Sequence, residues 1–319
     1  MKLINILALA GIIALSGCAT TIKMQVKRAP AINLEDAKTL AIEPFSVTGN
    51  LDLDLMDSKN NLMGVVTSIA VNVGTNKIAE AQHDDIQTAH HEGLRSAIFN
   101  NGHFKVSNSK NAQASISGNI NYDVSDNIQK NESKDKQGNI TYSYDLERTA
   151  KVNVQLNVND EKGTMIGSTT LSATQKNSAR GATKKEVRNR IEDWSKLVKK
   201  AVKGLNDSTV RKIAPYYVWE SRRLAEGDLK IIEKGNDAAD DGNWTQAVSM
   251  WQEALNTGNT KDKAAALHNL GIYDETQGKL EDALKKLEEA YSLVDDSDYA
   301  KQIGVIKRRI REAELLKAS

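Results

Sequence analysis

Apolar and polar residues alternate from Arg148 to Val158, with Val152, Val154, Leu156 and Val158 on one face and Asn153, Gln155 and Asn157 on the other. That period of two is the pattern of a half-buried strand. Shorter strand signals surround it: Thr39 to Ile42 with Pro44 and Phe45 after them, Phe104 to Val106, Ala114 to Ile120 with Gly118 at its middle, and Met165 to Leu171. Glu161 to Thr164 reads as the hairpin turn before the last of these. Between the first and second runs, His90 to Phe99 places Leu94, Ala97 and Ile98 at helical spacing and exits at Asn101-Gly102. The order strand, helix, strand, strand, strand, strand predicts an α+β region with a single sheet and packed helices over residues 37–207. Residues 49–85 read as a long insertion, and residues 123–143 as a polar hairpin tip rich in Lys, Asn and Ser.

The period changes at Lys184. Ile191, Trp194, Leu197, Val198, Ala201, Val202 and Leu205 follow helical spacing, and Lys196, Lys199, Lys200 and Lys203 fall mostly outside that face. Pro215 stops or kinks the chain at IAPYYVWE, so residues 208–227 read as a hinge followed by a capping helix. Beyond it, Gly235, Gly242, Ala247, Trp251, Glu253 and Ala254 recur 36 residues later as Gly271, Gly278, Ala283, Leu287, Glu289 and Ala290. A repeat of this length predicts stacked helix pairs in an all-α region over residues 228–319. Ile303, Ile306, Ile310 and Ala313 mark the inner face of a closing helix.

The first residues change the picture of where the chain works. Met1 and Lys2 precede an apolar run from Ile4 to Leu15, and LSGC follows, ending at Cys18, the only cysteine in the chain. The run is shorter than the ~20 residues that span a bilayer. It resembles the signal and lipobox of bacterial lipoproteins. That resemblance implies that residues 1–17 are removed and that Cys18 is acylated and bound to membrane lipid. Residues 18–36 then form a lipidated linker in the cell envelope. Ala19 after the cysteine, in place of an aspartate, implies the outer membrane, facing the periplasm. With no second cysteine, disulfides within the chain are excluded. Loss of Lys2 with the signal leaves 42 basic against 42 acidic residues, a balance that argues against nucleic acid as a partner.

Two further resemblances follow from the motifs. TLAIEPFSVTGN, EGLRSAIFNNGHFKVSN, AQASISGNINYDV and VNVQLNVNDEKGTMIGSTTLSA resemble, in order, pieces of one fold. It is shared by the curli secretion channel subunit, the TolB N-terminal domain and the lipoprotein activators of penicillin-binding proteins. The 36-residue recurrence resembles degenerate tetratricopeptide repeats. Together they imply a scaffold or regulator of secretion or cell-wall machinery that binds a protein or peptide in the repeat groove. Asn236, Asp240, His268, Asn269, Ile272 and Glu275 would line that groove. Asn236 and Asn269 match the asparagines of the family's carboxylate clamp, whereas Ile232 stands where the clamp has lysine. A homo-oligomer is compatible with the pattern.

Candidate chemistry is sparse. His83, Asp84, Asp85, His90, His91 and Glu92 form the one dense titratable cluster, and a solvated helix start explains it as well as a metal site does. No phosphate loop, dinucleotide fingerprint, metalloprotease motif or nucleophile elbow is present. The expectation is therefore a binding protein with no enzyme activity, cofactor or metal. A pore-forming channel subunit and an unrecognised hydrolase are the alternatives. A ring channel needs an apolar outer face on every hairpin, and DNIQKNESKDKQGN at residues 126–139 does not offer one.

Overall fold

The alternation at residues 148–158 belongs to a 21-residue strand, Ile140–Asp160, in a computed structural model that describes residues 20–34, 36–53 and 80–317. Cys18 and residues 54–79 of the insertion lie outside those described. Contacts divide the chain into two units, residues 28–216 with 315–319, and residues 1–27 with 217–314. The first is rich in sheet, and the second gathers the C-terminal helices.

In the sheet-rich unit, β2 (Thr39–Asp52), β3 (Lys105–Ser107), β4 (Ala114–Lys134), β5 (Ile140–Asp160) and β6 (Met165–Gly181) form one sheet in the order β3-β2-β4-β5-β6. β2 runs parallel to β3 and β4, whereas β4, β5 and β6 form an antiparallel meander. The short strand expected at Thr39–Phe45 continues to Asp52, because a register shift between Ile42 and Phe45 absorbs Pro44. Phe45 pairs with Gly118 beyond that shift. A β-carbon at Gly118 would lie 1.8 Å from the Gln155 carbonyl oxygen, so a glycine is required where β4 crowds β5. The polar segment 123–143 is the far half of the β4–β5 hairpin, closed where Gly138 adopts φ +84°.

One face of the sheet is apolar. Ile116, Ile120, Val152, Val154, Leu156 and Val158 are buried, beneath α1 (His83–Asn101) and α3 (Trp194–Ile213). The opposite face is hydrogen-bonded across strands, as where Ser172 Oγ donates to Asn153 Oδ1 at 2.6 Å and Asn119 Nδ2 to Gln155 Oε1 at 2.9 Å. The single helix expected over Lys184–Leu205 is two, α2 (Lys184–Arg190) and α3. A buried ion pair explains the break. Arg148 engages Asp126 at 2.7 and 2.8 Å and donates to the Glu192 carbonyl at 2.9 Å, while Asp193 caps α3 by accepting from Ser195 N at 2.9 Å.

The other unit begins earlier than expected. Residues 18–36 were assigned to a linker, yet Thr21–Arg28 form β1, paired with β7 (Tyr216–Arg223) in a two-stranded sheet. Ile22, Met24 and Val26 are buried, and that apolar alternation is the reason the segment pairs. The helix expected within 208–227 is likewise corrected. Alternating Tyr216, Val218 and other β-favouring residues after Pro215 take the strand conformation.

Five helices follow: α4 (Lys230–Asp240), α5 (Trp244–Thr257), α6 (Thr260–Thr276), α7 (Leu280–Leu293) and α8 (Ser297–Lys317). Equivalent residues of the two pairs do equivalent work. A β-carbon on Gly235 would meet Trp251 Nε1 at 2.6 Å, and one on Gly271 would meet Leu287 Cγ at 2.9 Å. Gly242 and Gly278 sit at φ +78° and +73° in matching turns. Central helix α6 is buried on nearly all sides, as stacking between two neighbours demands.

His90 is the anomaly of the sheet-rich core. Its ring is wholly buried, edge-on to Phe45 at 4.6 Å, and among the described residues neither ring nitrogen makes a well-formed hydrogen bond, the Asn206 amide being its polar neighbour. Burial lowers its pKa from 6.5 to about 4; the Asn206 amide opposes that shift and nearby His91 adds to it. The unfolded chain therefore takes up this proton first. Stability is full above pH 6.5 and falls as pH drops toward 4, by up to about 3 kcal/mol from this group. His90→Leu should flatten that acid limb and leave the unit at least as stable at neutral pH. Urea denaturation of both chains between pH 7.5 and 4.5, followed by tryptophan fluorescence, measures the difference.

Candidate functional site

The six residues expected to line the helical groove mostly face the chain itself. Asn269, buried on α6, accepts from Ala225 N at 2.7 Å and donates to the Ala225 carbonyl at 3.0 Å. Asn236, buried on α4, donates to the same carbonyl at 3.0 Å. Its own oxygen accepts from Trp251 Nε1 at 3.1 Å and from Asn269 Nδ2 at 2.9 Å. Two side-chain amides thus satisfy both main-chain groups of one residue in the segment after β7. Side-chain identity at residue 225 plays no part in these bonds.

His268 extends the grip. Its Nε2 lies 3.2 Å from the Arg223 carbonyl and its ring stacks on Tyr299 at 4.6 Å. Burial lowers its pKa to about 4, against the pull of the Arg223 carbonyl and the carboxylates of Asp296, Asp298 and Glu275. The ring is neutral at pH 7, and the hydrogen bond assigns the proton to Nε2 as donor to Arg223. Asp262 holds the next stretch, accepting from Asp228 N at 2.7 Å and Leu229 N at 2.9 Å while completing a capping box with Asn259.

Glu275 is the most connected of the six. Its carboxylate has no solvent exposure and is met by Arg222 at 2.7 and 2.9 Å, Arg309 at 2.6 Å and Gln302 at 2.7 Å. Burial works to lower the pKa of Arg222, but Glu275 and Glu220 outweigh it and the value ends raised, so the guanidinium stays charged. Ile272 is wholly buried, and only Asp240 is exposed. The expectation that these side chains stand free toward a ligand is corrected accordingly: a groove residue already bonded to residues 222–225 cannot at once receive another chain. Sequence reading found Asn236, His268, Asn269 and Glu275 but missed Arg222, Asp262, Gln302 and Arg309. The opposite charge at Arg222, in the segment just before the helices, was the available signal.

Beside the gripped segment lies a cavity of about 560 Å³ lined by Arg223, Glu226, Lys261, His268, Asp298 and Lys301, among others. Charges of both signs line it, and Lys261 with Asp228 and Lys301 with Asp298 are already paired at 2.6 and 2.8 Å. The histidine-rich cluster at α1 is not drawn together. His90 faces Phe45, His83 lies edge-on to Tyr122, and Asp84 and Asp85 are exposed. Among the described residues, no group of three His, Cys, Asp or Glu is placed to hold a metal ion, and no helix is long and apolar enough to cross a membrane. What the helical site can do chemically is hold an extended main chain.

Residues 233–312 match a family described as a domain of unknown function, DUF6340. That stretch includes every groove position from Asn236 to Glu275. No curated protein matches the chain. Among solved structures, a minor lipoprotein from Acinetobacter baumannii is 15% identical with a TM-score of 0.24, over 55% of this chain and 89% of that one. A homologue of the neuraminyllactose-binding hemagglutinin from Helicobacter pylori is 11% identical with a TM-score of 0.28, over 58% and 83% respectively. At such TM-scores neither likeness identifies the fold or the function.

Removing the Glu275 carboxylate leaves buried Arg222 with Glu220 alone and takes the carboxylate partner from half-buried Arg309. Glu275→Ala should destabilise the helical unit by about 3–5 kcal/mol, and Glu275→Gln, which keeps hydrogen-bond acceptance, by less. Thermal melts followed by circular dichroism at 222 nm rank the two variants.

Proposed function

We propose that this chain is a lipid-anchored protein of the cell envelope whose work is binding. Cys18 carries the acyl chains, and the helical unit holds an extended polypeptide within an assembly of secretion or cell-wall machinery. The observation that carries the binding reading is the grip on Ala225 by Asn236 and Asn269. Toward that segment both side chains bond main-chain atoms, the chemistry by which a helical array accepts an extended peptide of varied sequence. Matched glycine contacts at Gly235 and Gly271, with matched turns at Gly242 and Gly278, support the tetratricopeptide reading. For the sheet-rich unit, the order strand, helix, strand and three-stranded meander supports the reading as a domain of the secretion-channel and activator type. The outer membrane, facing the periplasm, is the site favoured by Ala19 after the cysteine.

In this structure the occupant of the grip is the chain's own segment, so a protein partner competes with residues 222–225. Two variants separate the consequences. Asn236→Ala with Asn269→Ala removes the grip itself and should weaken partner capture about tenfold or more while helical content is retained. Ala225→Pro deletes the amide that Asn269 accepts and leaves the asparagines intact, so it should free the groove and raise capture. In-cell crosslinking followed by mass spectrometry reads both. Unchanged capture by the folded double variant overturns the groove reading and moves the partner surface to the sheet-rich unit. Radiolabelled palmitate should enter the wild type and not Cys18→Ala; incorporation by the variant overturns the anchor.

A further inference from the structure

The sheet of β1 and β7 has one face built against the helices and one left open. On β1 the buried positions are Ile22, Met24 and Val26, and the exposed ones are Thr21, Lys23, Gln25 and Lys27. On β7 the exposed positions are Tyr217, Trp219, Ser221 and Arg223. Tyr217 and Trp219 are 62% and 68% exposed, and Trp219 is the only tryptophan among the large exposed apolar residues. The exposed strand positions therefore carry two aromatic rings with polar tips, two lysines and an arginine; the two strands place no carboxylate among them, and Arg223, at the edge, lies 3.8 Å from Asp298 of α8.

A solvated sheet face ordinarily carries small polar residues and mixed charge, as the outer face of the larger sheet does here. Trp and Tyr beside cations have a different natural solvent. Their amphipathic rings settle at the boundary between headgroups and acyl chains, and each lysine near an anionic surface contributes about 1 kcal/mol. Position along the chain points the same way. Cys18 stands three residues before Thr21 in the sequence, so a lipid on Cys18 is separated from β1 by two intervening residues. Leu224 N donates to the Thr20 carbonyl at 2.9 Å, which puts the end of β7 beside that same start. Trp219 is five residues back from it, about 17 Å along the strand.

We propose that this face is a membrane-docking surface: Tyr217 and Trp219 insert at the interface of an anionic phospholipid bilayer, and Lys23, Lys27 and Arg223 meet its headgroups. The proposal rests on Cys18 being acylated, and it adds that the helical unit lies against the membrane by one defined face instead of hanging from a tether. Acyl chains on a cysteine hold a protein at the membrane without fixing its orientation; a docking face supplies that orientation from the fold.

The test reconstitutes the acylated protein into phosphatidylcholine vesicles containing phosphatidylglycerol and a lipid brominated near the headgroup end of its acyl chains. Flotation reports the anchor, and bromine quenching of tryptophan emission reports docking. Wild type should float and be quenched, and Trp219→Phe should remove the quenched component. Lys23→Glu with Lys27→Glu should float as before and lose most of the quenching. Unacylated Cys18→Ala, added to the same vesicles, should partition about 30-fold more strongly than the same chain carrying both glutamates. A floating protein whose Trp219 emission is not quenched overturns the docking surface and leaves the anchor standing. Quenching of Cys18→Ala at high lipid, with no flotation of wild type over that variant, supports the surface and overturns the anchor. Shielding of Trp219 from iodide that grows with protein concentration, without bromine quenching, assigns the face to a second copy and overturns the lipid reading.

Discussion

A carboxylate cut off from water must be neutralised where it stands, and Glu275 is met from two elements at once. Arg222 arrives from the end of β7, while Arg309 and Gln302 arrive from α8. The desolvation cost of such a group is several kcal/mol, recovered only when the geometry of its partners is right. Its position on α6 therefore dictates where β7 must end and how α8 must lie. Because β1 has no partner strand but β7 within its sheet, the placement of β1 follows as well. An apolar residue at position 275 would pack α6 well enough, but it would not specify which strand closes the array or in which register.

The asparagine pair works one step farther along the same segment. Arg222 fixes the end of the strand by charge, and Asn236 and Asn269 then fix Ala225 by its main chain. Asp262 receives the amides of Asp228 and Leu229, so α4 starts from a defined point. Each of these groups satisfies a buried donor or acceptor that would otherwise cost about 1–3 kcal/mol. A groove lined this way is selective for extended backbone and indifferent to side chains. That is why the chain's own segment can occupy it whatever side chains that segment carries.

Much of this architecture was legible in the residues. Strict alternation at Val152 to Val158 marked β5, since one side of the strand meets α1 and α3 and the other meets polar side chains of β4 and β6. The recurrence from Gly235 to Gly271 marked the helix pairs, because each glycine lies where a β-carbon would strike the facing helix. What escaped was set by distant contacts. β1 looked like a linker because a single exposed edge strand of mixed Thr, Lys and Val means little until β7, nearly 200 residues later, supplies its partner. The break between α2 and α3 escaped because its cause, Arg148 on β5, lies outside the local window. The groove residues were located correctly on the helices, yet their engagement with residues 222–225 was hidden for the same reason: local period tells which way a side chain faces, not what arrives there.

The topology that hid β1 also shapes how the chain assembles. The sheet-rich unit is an excursion of the chain between β1 and β7, so joining those strands closes a loop of about 190 residues, an entropic cost of about 5 kcal/mol for a flexible chain. Folding of the meander first shortens the effective loop, because most contacts of that unit are internal to it and β4, β5 and β6 are joined by tight hairpins. Once β1 and β7 are joined, Ile22 completes the apolar cluster of Leu224, Ile232 and Trp251. A pull on the chain ahead of β1 is carried into β1 and, through its bonds to β7, toward Glu275 and the helices. The strands of the larger sheet lie outside that path, because the chain of the sheet-rich unit leaves the helical one at the end of β1 and rejoins it at the start of β7.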